Sequence, residues 1–343
     1  MSQCAGRGPE SSYVRLAASF GLPRIVRVRP LADPDLGVWV LETTRGRVAI
    51  RLRSLGSELE LKREIGFASF LGQQGFPVYS PLTDRAGRFW LRHEAGLVTF
   101  HRLPAGSLSP MNPARPEHLA VIGRSLAAFH QLARAYRKGS DFRFAPERSW
   151  ELYAHLRRFM PDYHWRLQRT LDDEAAYLQD ALDPKLPRGP ILGEMQPRRF
   201  RFRQDRLQLI LGCDPNARGP FLFDLASAVN SFCFRDGQFQ AAAFEVLVSS
   251  YDAARPMSLA EWDAFPNELR FSAFRSTMFA LRKLVDNPRS EAAERDFEAW
   301  LDRLAILRRE REGGLDPILR IMATGYDYRR YQRARTCTKR ALR

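Results

Sequence analysis

The stretch from Leu186 to Phe234, LPRGPILGEMQPRRFRFRQDRLQLILGCDPNARGPFLFDLASAVNSFCF, constrains this chain more than any other. Two short runs within it, Arg199 to Arg203 and Leu207 to Leu211, alternate as strands do, and the polar pair Gln204-Asp205 joins them. A loop precedes this hairpin, a second loop follows it, and an apolar helix closes the stretch. Arg198, Arg199, Arg201, Arg203 and Arg206 bunch around it. Strand alternation puts Arg199, Arg201 and Arg203 on one face. Guanidinium groups so arranged hold phosphate or carboxylate without metal. The other reading is an edge strand that carries charge to discourage aggregation.

Composition narrows the rest. A chain of 343 residues that is 45% apolar has room for one large domain or two lobes. Lys and Arg outnumber Asp and Glu by 54 to 39, a net charge of +15, so anionic partners are favoured: nucleotide, phosphorylated substrate, nucleic acid or acidic protein. Cys4, Cys213, Cys233 and Cys337 show no CxxC spacing, and a chain of this length needs no disulfide framework, which suggests a reducing, cytoplasmic setting. No run approaches the roughly 20 apolar residues that span a bilayer, and MSQCAGRGPESS lacks the apolar core of a signal peptide. A membrane partner is therefore not expected. The six histidines share no ligand spacing with a Cys or carboxylate cluster, and no zinc site is read.

Taken in order, the first 12 or so residues are small and polar. Val38 to Thr43, a Thr44-Arg45-Gly46 turn and Arg47 to Leu52 read as a hairpin. Glu58 to Gln73 follows with Leu61, Ile65, Ala68 and Leu71 at helical spacing, closed by Gln74-Gly75. Strands near Phe89 to His93 and Leu97 to Leu103 complete a small α+β lobe. Ser107 to Arg115, rich in Pro and Ser, reads as a linker. Glu117 to Arg137 is an amphipathic helix with Leu119, Ile122, Leu126, Phe129, Ala133 and Tyr136 on one face. Ser149 to Leu171, with Ser149 as N-cap, and Asp172 to Leu182 read as two further helices. Beyond the central stretch come Phe239 to Ala253, a helix opened by the capping box Ser258-Leu259-Ala260-Glu261, then Glu268 to Val285 and Ser290 to Arg311. The basic, tyrosine-interleaved end, Tyr326 to Arg343, fits either an RNA- or acid-binding tail or a solvated terminus.

The central stretch resembles the aminoglycoside phosphotransferase superfamily, and within it the type II homoserine kinases. Leu186-Pro187-Arg188-Gly189, Gly219-Pro220, Asp224-Leu225-Ala226 and Ala228-Val229-Asn230 lie over that group's motifs without a gap. Gly123-Arg124-Ser125-Leu126-Ala127-Ala128-Phe129-His130, Trp150 and Arg255-Pro256-Met257 follow its usage, and the likeness runs over about residues 26 to 305. The resemblance implies a bilobal protein-kinase-like α+β fold. Its expected parts are a small β-rich, nucleotide-covering N-lobe (1–104), a large helical C-lobe (105–325) with the catalytic-loop equivalent at 190–226, and a basic tail (326–343). It implies an ATP-dependent phosphotransferase acting on a hydroxyl of an amino alcohol such as homoserine, of an aminoglycoside-like compound or of a protein.

Residue by residue, the resemblance puts Arg51 where a strand lysine meets phosphate and Glu64 where a helix glutamate pairs with it. From spacing alone, these two read as a solvated strand arginine and an exposed helix glutamate. The resemblance also puts Phe100 to Gly106, with Phe100 and Arg102, at an adenine-holding hinge, and Asp33 to Gly37 at a phosphate-covering loop. His130 reads as a packed structural histidine. At the catalytic centre the match fails: the family's catalytic His and Asp are Leu192 and Glu194, and its metal-binding Asn and Asp are Arg199 and Gly212. Phosphoryl transfer needs a carboxylate near the acceptor, metal ligands and cations on the phosphates. Glu194 keeps a carboxylate displaced by about 1 Å, a misplacement that can cost about a hundredfold in rate. Hard divalent cations require oxygen ligands, so Arg199 and Gly212 put Mg²⁺ binding in doubt, with Asp214 the one nearby replacement. These residues lead to a pseudokinase or altered phosphotransferase that binds nucleotide or another anion. The alternatives are an active small-molecule kinase using Glu194 as base, and a basic-surface module for RNA or acidic proteins.

Overall fold

The computed structural model describes residues 16–30, 38–53, 58–78, 81–94, 96–106, 108–136, 146–160, 165–213 and 217–312. The chain divides into two compact units, Met1–Met111 with Arg198–Pro215, and Asn112–Pro197 with Asn216–Arg343.

The first unit is built on an antiparallel sheet of β1 (Ile25–Pro30), β2 (Val38–Thr43), β3 (Gly46–Arg53), β4 (Trp90–His93) and β5 (Gly96–Arg102), in the order β1-β2-β3-β5-β4. Period-two alternation sorts its side chains onto two buried faces. Val48 and Ile50 join Leu41, Val98 and Phe100 on one, with Phe20 packed on Phe100. Ala49 joins Val38 and Val40 on the other. Helix α1 (Glu58–Gln73) sets Leu61 and Ile65, four residues apart and so on one stripe, against Leu97. Its polar neighbour Glu64 is thereby carried to the sheet. The two-residue strand β6 (Ser109–Pro110) pairs with β8 (Phe200–Arg203), which forms a hairpin with β9 (Arg206–Ile210). Leu209 and Leu211 bury against Val38, Val40 and Leu103, tying this late segment into the first unit.

The second unit is mainly helical. Helix α2 (Pro116–Ala133) buries Leu119, Ile122, Leu126 and Phe129. Gly123 on it lies so near the Leu247 carbonyl that a Cβ would collide, so only glycine permits the approach of α2 to α6 (Ala241–Ala254). Between them in sequence come α3 (Pro146–Leu156), α4 (Trp165–Ala181), β7 (Arg188–Pro190), β10 (Arg218–Pro220) and α5 (Phe221–Phe232). A short ladder pairs β7 with β10, and a small hairpin joins β11 (Phe234–Arg235) to β12 (Gln238–Phe239). Helices α7 (Leu259–Asp286) and α8 (Glu291–Glu312) close the described chain. Helix α5 is buried at every position but Ser231; its mainly apolar sequence suits that burial, and its buried polar residues Asp224, Ser227 and Asn230 are hydrogen-bonded.

Four local expectations need correction. The helix expected from Ser149 to Leu171 is two: α3 ends at Leu156 and α4 begins at Trp165. Met160 is extended (φ −80°, ψ 124°), as the residue before Pro161 must tend to be. Ser149 is not an N-cap, because α3 starts at Pro146; its hydroxyl accepts from Arg275 Nη1 instead (3.1 Å). The two helices expected over Ser258 to Val285 are one 28-residue helix with Pro266 inside it. Proline costs a hydrogen bond there, but the flanking Phe265, Leu269 and Phe271 are buried and hold the helix through the break. Finally, Arg199, Arg201 and Arg203 do not share a strand face. Arg199 ends a 3₁₀ turn before β8, and a bulge between Arg201 and Phe202 shifts the register, so that Arg201 is buried while Arg203 is exposed.

Candidate functional site

In the first unit, sheet pairing decides which charges meet. Arg51 sits opposite Thr99, and Arg53 opposite Leu97, on the face that α1 covers. Glu64 lies within the stripe of Leu61 and Ile65 and so faces both arginines. Arg51 Nη1 donates to Glu64 Oε1 at 2.6 Å, and Arg53 bridges to Glu64 Oε2. The carboxylate is 13% exposed, so this pairing is partly shielded from solvent. A cavity of about 20 Å³, room for one water, is bordered by Arg51, Arg53, Glu64, His101, Gly212 and Cys213. The ion pair and the Gly212 corner therefore border one space.

Gly212 has φ +75°, a left-handed conformation that costs glycine nothing. The turn directs its carbonyl and that of Leu211 at Arg199. Arg199 Nη2 donates to Gly212 O at 2.5 Å and Nε to Leu211 O at 3.0 Å, while Leu211 N returns a bond to Arg199 O at 2.9 Å. A permanently charged, planar group is thus fixed by backbone at this corner. On the following strand Arg201 is 2% exposed, and burial pulls its pKa below the ordinary value.

In the second unit, Asp224 is completely buried near the start of α5. Its Oδ2 accepts from Leu192 N and its Oδ1 from Gly193 N, both at 2.7 Å. Ser227 Oγ, one turn on, accepts from Met195 N at 3.1 Å. Backbone on both sides of Glu194 is therefore pinned, whereas the Glu194 side chain is exposed. Leu192 is buried in the position the resemblance gives to a histidine.

The anchor is itself held. His130 Nε2 lies 3.1 Å from Asp224 Oδ2, and His130 Nδ1 lies 2.7 Å from the Tyr251 hydroxyl. Arg255 Nη1 donates to that hydroxyl at 3.1 Å, and Arg255 Nη2 donates to Glu261 Oε1 at 2.8 Å. One direction of donation satisfies every member. Arg255 donates to Tyr251, Tyr251 O–H donates to Nδ1, and Nε2–H donates to the carboxylate, which assigns the imidazole as neutral. Burial lowers the His130 pKa in the same sense, with the Asp224 hydrogen bond opposing. Glu261 then closes the chain by capping α7 through Ser258.

The second unit also contains a cleft of about 860 Å³. Trp150 and Glu151 of α3, Asp183 after α4, Arg188 of β7, and Glu268 and Phe271 of α7 line it. Glu268 is 2% exposed, and its Oε2 has no hydrogen-bond partner. Burial pushes its pKa up to about 8, with Arg188 lowering it and Asp183 raising it further.

The expected site residues thus fall as follows. Arg51 and Glu64 are paired, and Glu194 stands on a pinned loop. Phe100 is not an exposed hinge: it lies in mid-strand with its ring in the core and its carbonyl taken by Leu82 N at 2.7 Å. The connector begins after Arg102, which is exposed at the end of β5. Asp214, the Asp33 to Gly37 turn and the basic tail lie outside the described residues. Asp224 and Ser227 as loop anchors, Tyr251 and Glu261 as their support, and Glu268 were not singled out for these roles from sequence. The signal for Glu268 was its seven-residue spacing from Glu261, which puts both on one helix face amid Phe265, Leu269 and Ser272.

Solved structures that share this fold include kinases. The chain superposes on amicoumacin kinase hAmiN in complex with AMP-PNP, Ca²⁺ and Ami with TM-score 0.65 at 15% identity, covering 88% of this chain and 92% of that one. The microcompartment-associated aminopropanol kinase gives TM-score 0.63 at 14% identity, covering 89% and 98%. The fold is therefore the bilobal, protein-kinase-like one expected from sequence. Residues 28–262 match the model of the phosphotransferase enzyme family (APH), and the chain belongs to that family. Curated relatives include the homoserine kinase of Parvibaculum lavamentivorans, 28% identical over 285 residues (80% of this chain, 83% of the relative). That of Caulobacter sp. strain K31 is 28% identical over 263 residues (72% and 77%).

Proposed function

We propose that this phosphotransferase-family chain has exchanged metal-dependent phosphoryl transfer for binding, and acts as a pseudokinase that holds ATP or another anion through guanidinium groups. The observation that carries this reading is the Arg199 guanidinium hydrogen-bonded to the carbonyls of Leu211 and Gly212, since Arg199 and Gly212 occupy the two positions where the resemblance expects metal ligands. A fixed cation repels Mg²⁺, and glycine offers it no side-chain oxygen. Arg199 and Arg51 supply positive charge for phosphate oxygens without metal. Both lie in the first unit, where the resemblance expects nucleotide.

The test is a thermal-shift titration with ATP in Mg²⁺ and in EDTA, since a ligand that binds only the folded chain raises its melting temperature. The expected result is an equal shift in both, lost in Arg199→Ala. A shift that requires Mg²⁺, together with phosphorylation of homoserine that is lost in Glu194→Ala, would overturn the proposal.

That second outcome describes the other reading, an active amino-alcohol kinase. The pinning of Leu192, Gly193 and Met195 favours it, because it fixes the backbone on both sides of Glu194. Glu194 would then serve as base. Binding of RNA or an acidic protein through the +15 surface is a third proposal, and it predicts affinity that falls steeply with salt.

A further inference from the structure

The tripeptide Arg-Gly-Pro occurs twice in the central stretch, as Arg188-Gly189-Pro190 in β7 and Arg218-Gly219-Pro220 in β10, and the fold pairs the two copies antiparallel. Gly189 stands opposite Gly219, Arg188 opposite Pro220 and Arg218 opposite Pro190. Alternation therefore sends both arginines to one face of the ladder as diagonal neighbours, about 7–8 Å apart and within reach of long side chains. The glycine face is closed, since a Cβ on Gly189 would come within 2.8 Å of the Phe221 ring. Arg188 and Pro220 both line the cleft of about 860 Å³, so the arginine face is the one turned toward it.

Neither arginine is neutralised by the chain. Among the described residues no carboxylate forms an ion pair with Arg188 or Arg218, and the proline opposite each offers neither charge nor hydroxyl. Nη1 of Arg218 is buried and has no hydrogen-bond partner. Burial lowers the Arg218 pKa, and the neighbouring charge of Arg188 lowers it further. The buried Arg270 and Arg255 of the same unit are matched, by Glu174 and Glu261. Two like charges on one face, with an N–H group shut away from water, are stabilised by an anion between them.

We infer that the paired Arg-Gly-Pro strands form a clamp for a phosphate group, free or carried on a small molecule whose body lies in the cleft against Trp150 and Phe271. A single guanidinium fork saturates the two oxygens of a carboxylate. Two forks suit a group with three terminal oxygens and a charge of about −1.5 to −2 at pH 7, which balances both cations. The acidic groups in the lining do not cancel them. Glu151 is held by Arg148 at 3.3 Å, Asp183 accepts from Lys185 N at 2.8 Å, and Glu147 is exposed and screened by solvent. Burial pushes the Glu268 pKa up to about 8, so near neutrality it is mainly an uncharged carboxyl. Every residue of the clamp lies in the second unit, whereas Arg51 and Arg199 of the proposed nucleotide site lie in the first.

The experiment is isothermal titration of the full chain with glycerol 3-phosphate, inorganic phosphate, glycerol and propionate at pH 7. The expected result is binding of both phosphates, with glycerol and propionate at least tenfold weaker. Tighter binding of glycerol 3-phosphate than of inorganic phosphate assigns the group to a small molecule, and equal or weaker binding assigns it to the free ion. Arg218→Gln and Arg188→Gln are each expected to lose at least tenfold in phosphate affinity, with Arg218→Lys, which keeps the charge without the fork, in between. Arg92→Ala removes one positive charge from the first unit and is expected to bind phosphate as the parent chain does. Failure of both phosphates to bind, or propionate binding as tightly as they do, would overturn the inference. So would a loss in Arg92→Ala equal to that in Arg218→Gln, which reports net charge alone. Should Arg218→Gln fail to fold, the exposed Arg188 decides: phosphate bound by Arg188→Gln as tightly as by the parent chain would place the anion elsewhere, at the arginines of the first unit, and sink the clamp.

Discussion

At Asp224 a buried anion collects backbone N–H groups, whereas at Arg199 a half-buried cation collects backbone carbonyls. The first pins the loop that carries Glu194. The second puts a positive charge where a kinase is expected to keep metal ligands. Asp224 is wired through His130, Tyr251, Arg255 and Glu261 into three helices, so its loss would orphan several buried groups at once. Arg199 is part-buried and donates to the carbonyls of Leu211 and Gly212 in the turn that follows β9. Replacing a residue wired into a buried network costs stability directly, whereas replacing one at a part-buried turn costs less.

Breaking the frame should have the largest effect. Asp224→Ala leaves the amides of Leu192 and Gly193 without their acceptor and His130 Nε2–H unpaired in a site closed to water. Removing one partner from such a buried charged network costs about 3–5 kcal/mol, measured as a lowered urea midpoint at constant slope. Asp224→Asn keeps the shape and one acceptor, and should fall between. A variant within 1 kcal/mol of the parent, on the scale of about 1 kcal/mol for an ordinary substitution, would mean that the loop is held by something other than Asp224.

Glu268 supplies the opposite case, a buried carboxyl whose Oε2 has no hydrogen-bond partner among the described residues. Its pKa in the folded chain is raised to about 8 from an ordinary 4.5. Below the ordinary value both states are protonated, and Glu268 makes no difference to stability. Between about 4.5 and 8 the unfolded chain has released the proton and the folded chain has not, so stability falls as pH rises, by up to about 1.4 kcal/mol per unit. Glu268→Gln should therefore be more stable than the parent at pH 8 and equal to it at pH 4. Melting temperatures across that range, with the difference widening upward, are the check. A flat difference would place the Glu268 carboxylate in a wetter environment than its burial indicates.

The Arg199 corner can be rebuilt. Arg199→Asn with Gly212→Asp restores two oxygen donors, and aspartate is among the few residues that tolerate a left-handed φ such as +75°. The double variant should cost about 1–2 kcal/mol for the lost hydrogen bonds and the backbone strain. It should also convert a metal-independent ATP shift into a Mg²⁺-dependent one. The single variants separate the two causes: Arg199→Asn alone removes the cation, and Gly212→Asp alone gives the guanidinium a carboxylate to neutralise.

Much of this was legible before the structure. Alternation located β2 and β3, helical spacing located α1 and α2, and the capping box at Ser258 starts α7 where expected. The pairing of Arg51 with Glu64 agrees with the family resemblance, whereas spacing alone reads the two as a solvated arginine and an exposed glutamate. What escaped was set by tertiary packing. The bulge that buries Arg201 leaves no mark in the residue pattern, which reads as plain alternation. The continuity of α7 across Pro266 depends on core contacts from distant segments. Phe100 carries the same β-forming character in a hinge as in a buried strand, and only the sheet pairing with Ile50 decides between them. The unmatched charge at Glu268 becomes visible only once the neighbours that fail to pair with it are known.

The smallest effect is expected where the first unit offers its own control. Two glutamates of helix α1 are paired in different settings: Glu64 with Arg51 and Arg53 near the sheet, and Glu58 with Arg92 at 2.7 Å on the surface, where Arg92 is 71% exposed. Exposed pairs of this kind contribute about 0–1 kcal/mol because water and salt screen them and two long side chains must be ordered. Arg92→Ala should change stability by no more than about 0.5 kcal/mol, and 0.5 M salt should erase the difference. Arg51→Met removes a shielded partner of Glu64 and should cost more, with a remainder that survives salt. If the proposed function is right, only Arg51→Met weakens ATP binding, since Arg92 lies on β4 beyond the strand that carries Arg51. Equal loss of ATP affinity in both variants would mean that the net charge of the unit, and not the geometry of Arg51 and Glu64, attracts the nucleotide.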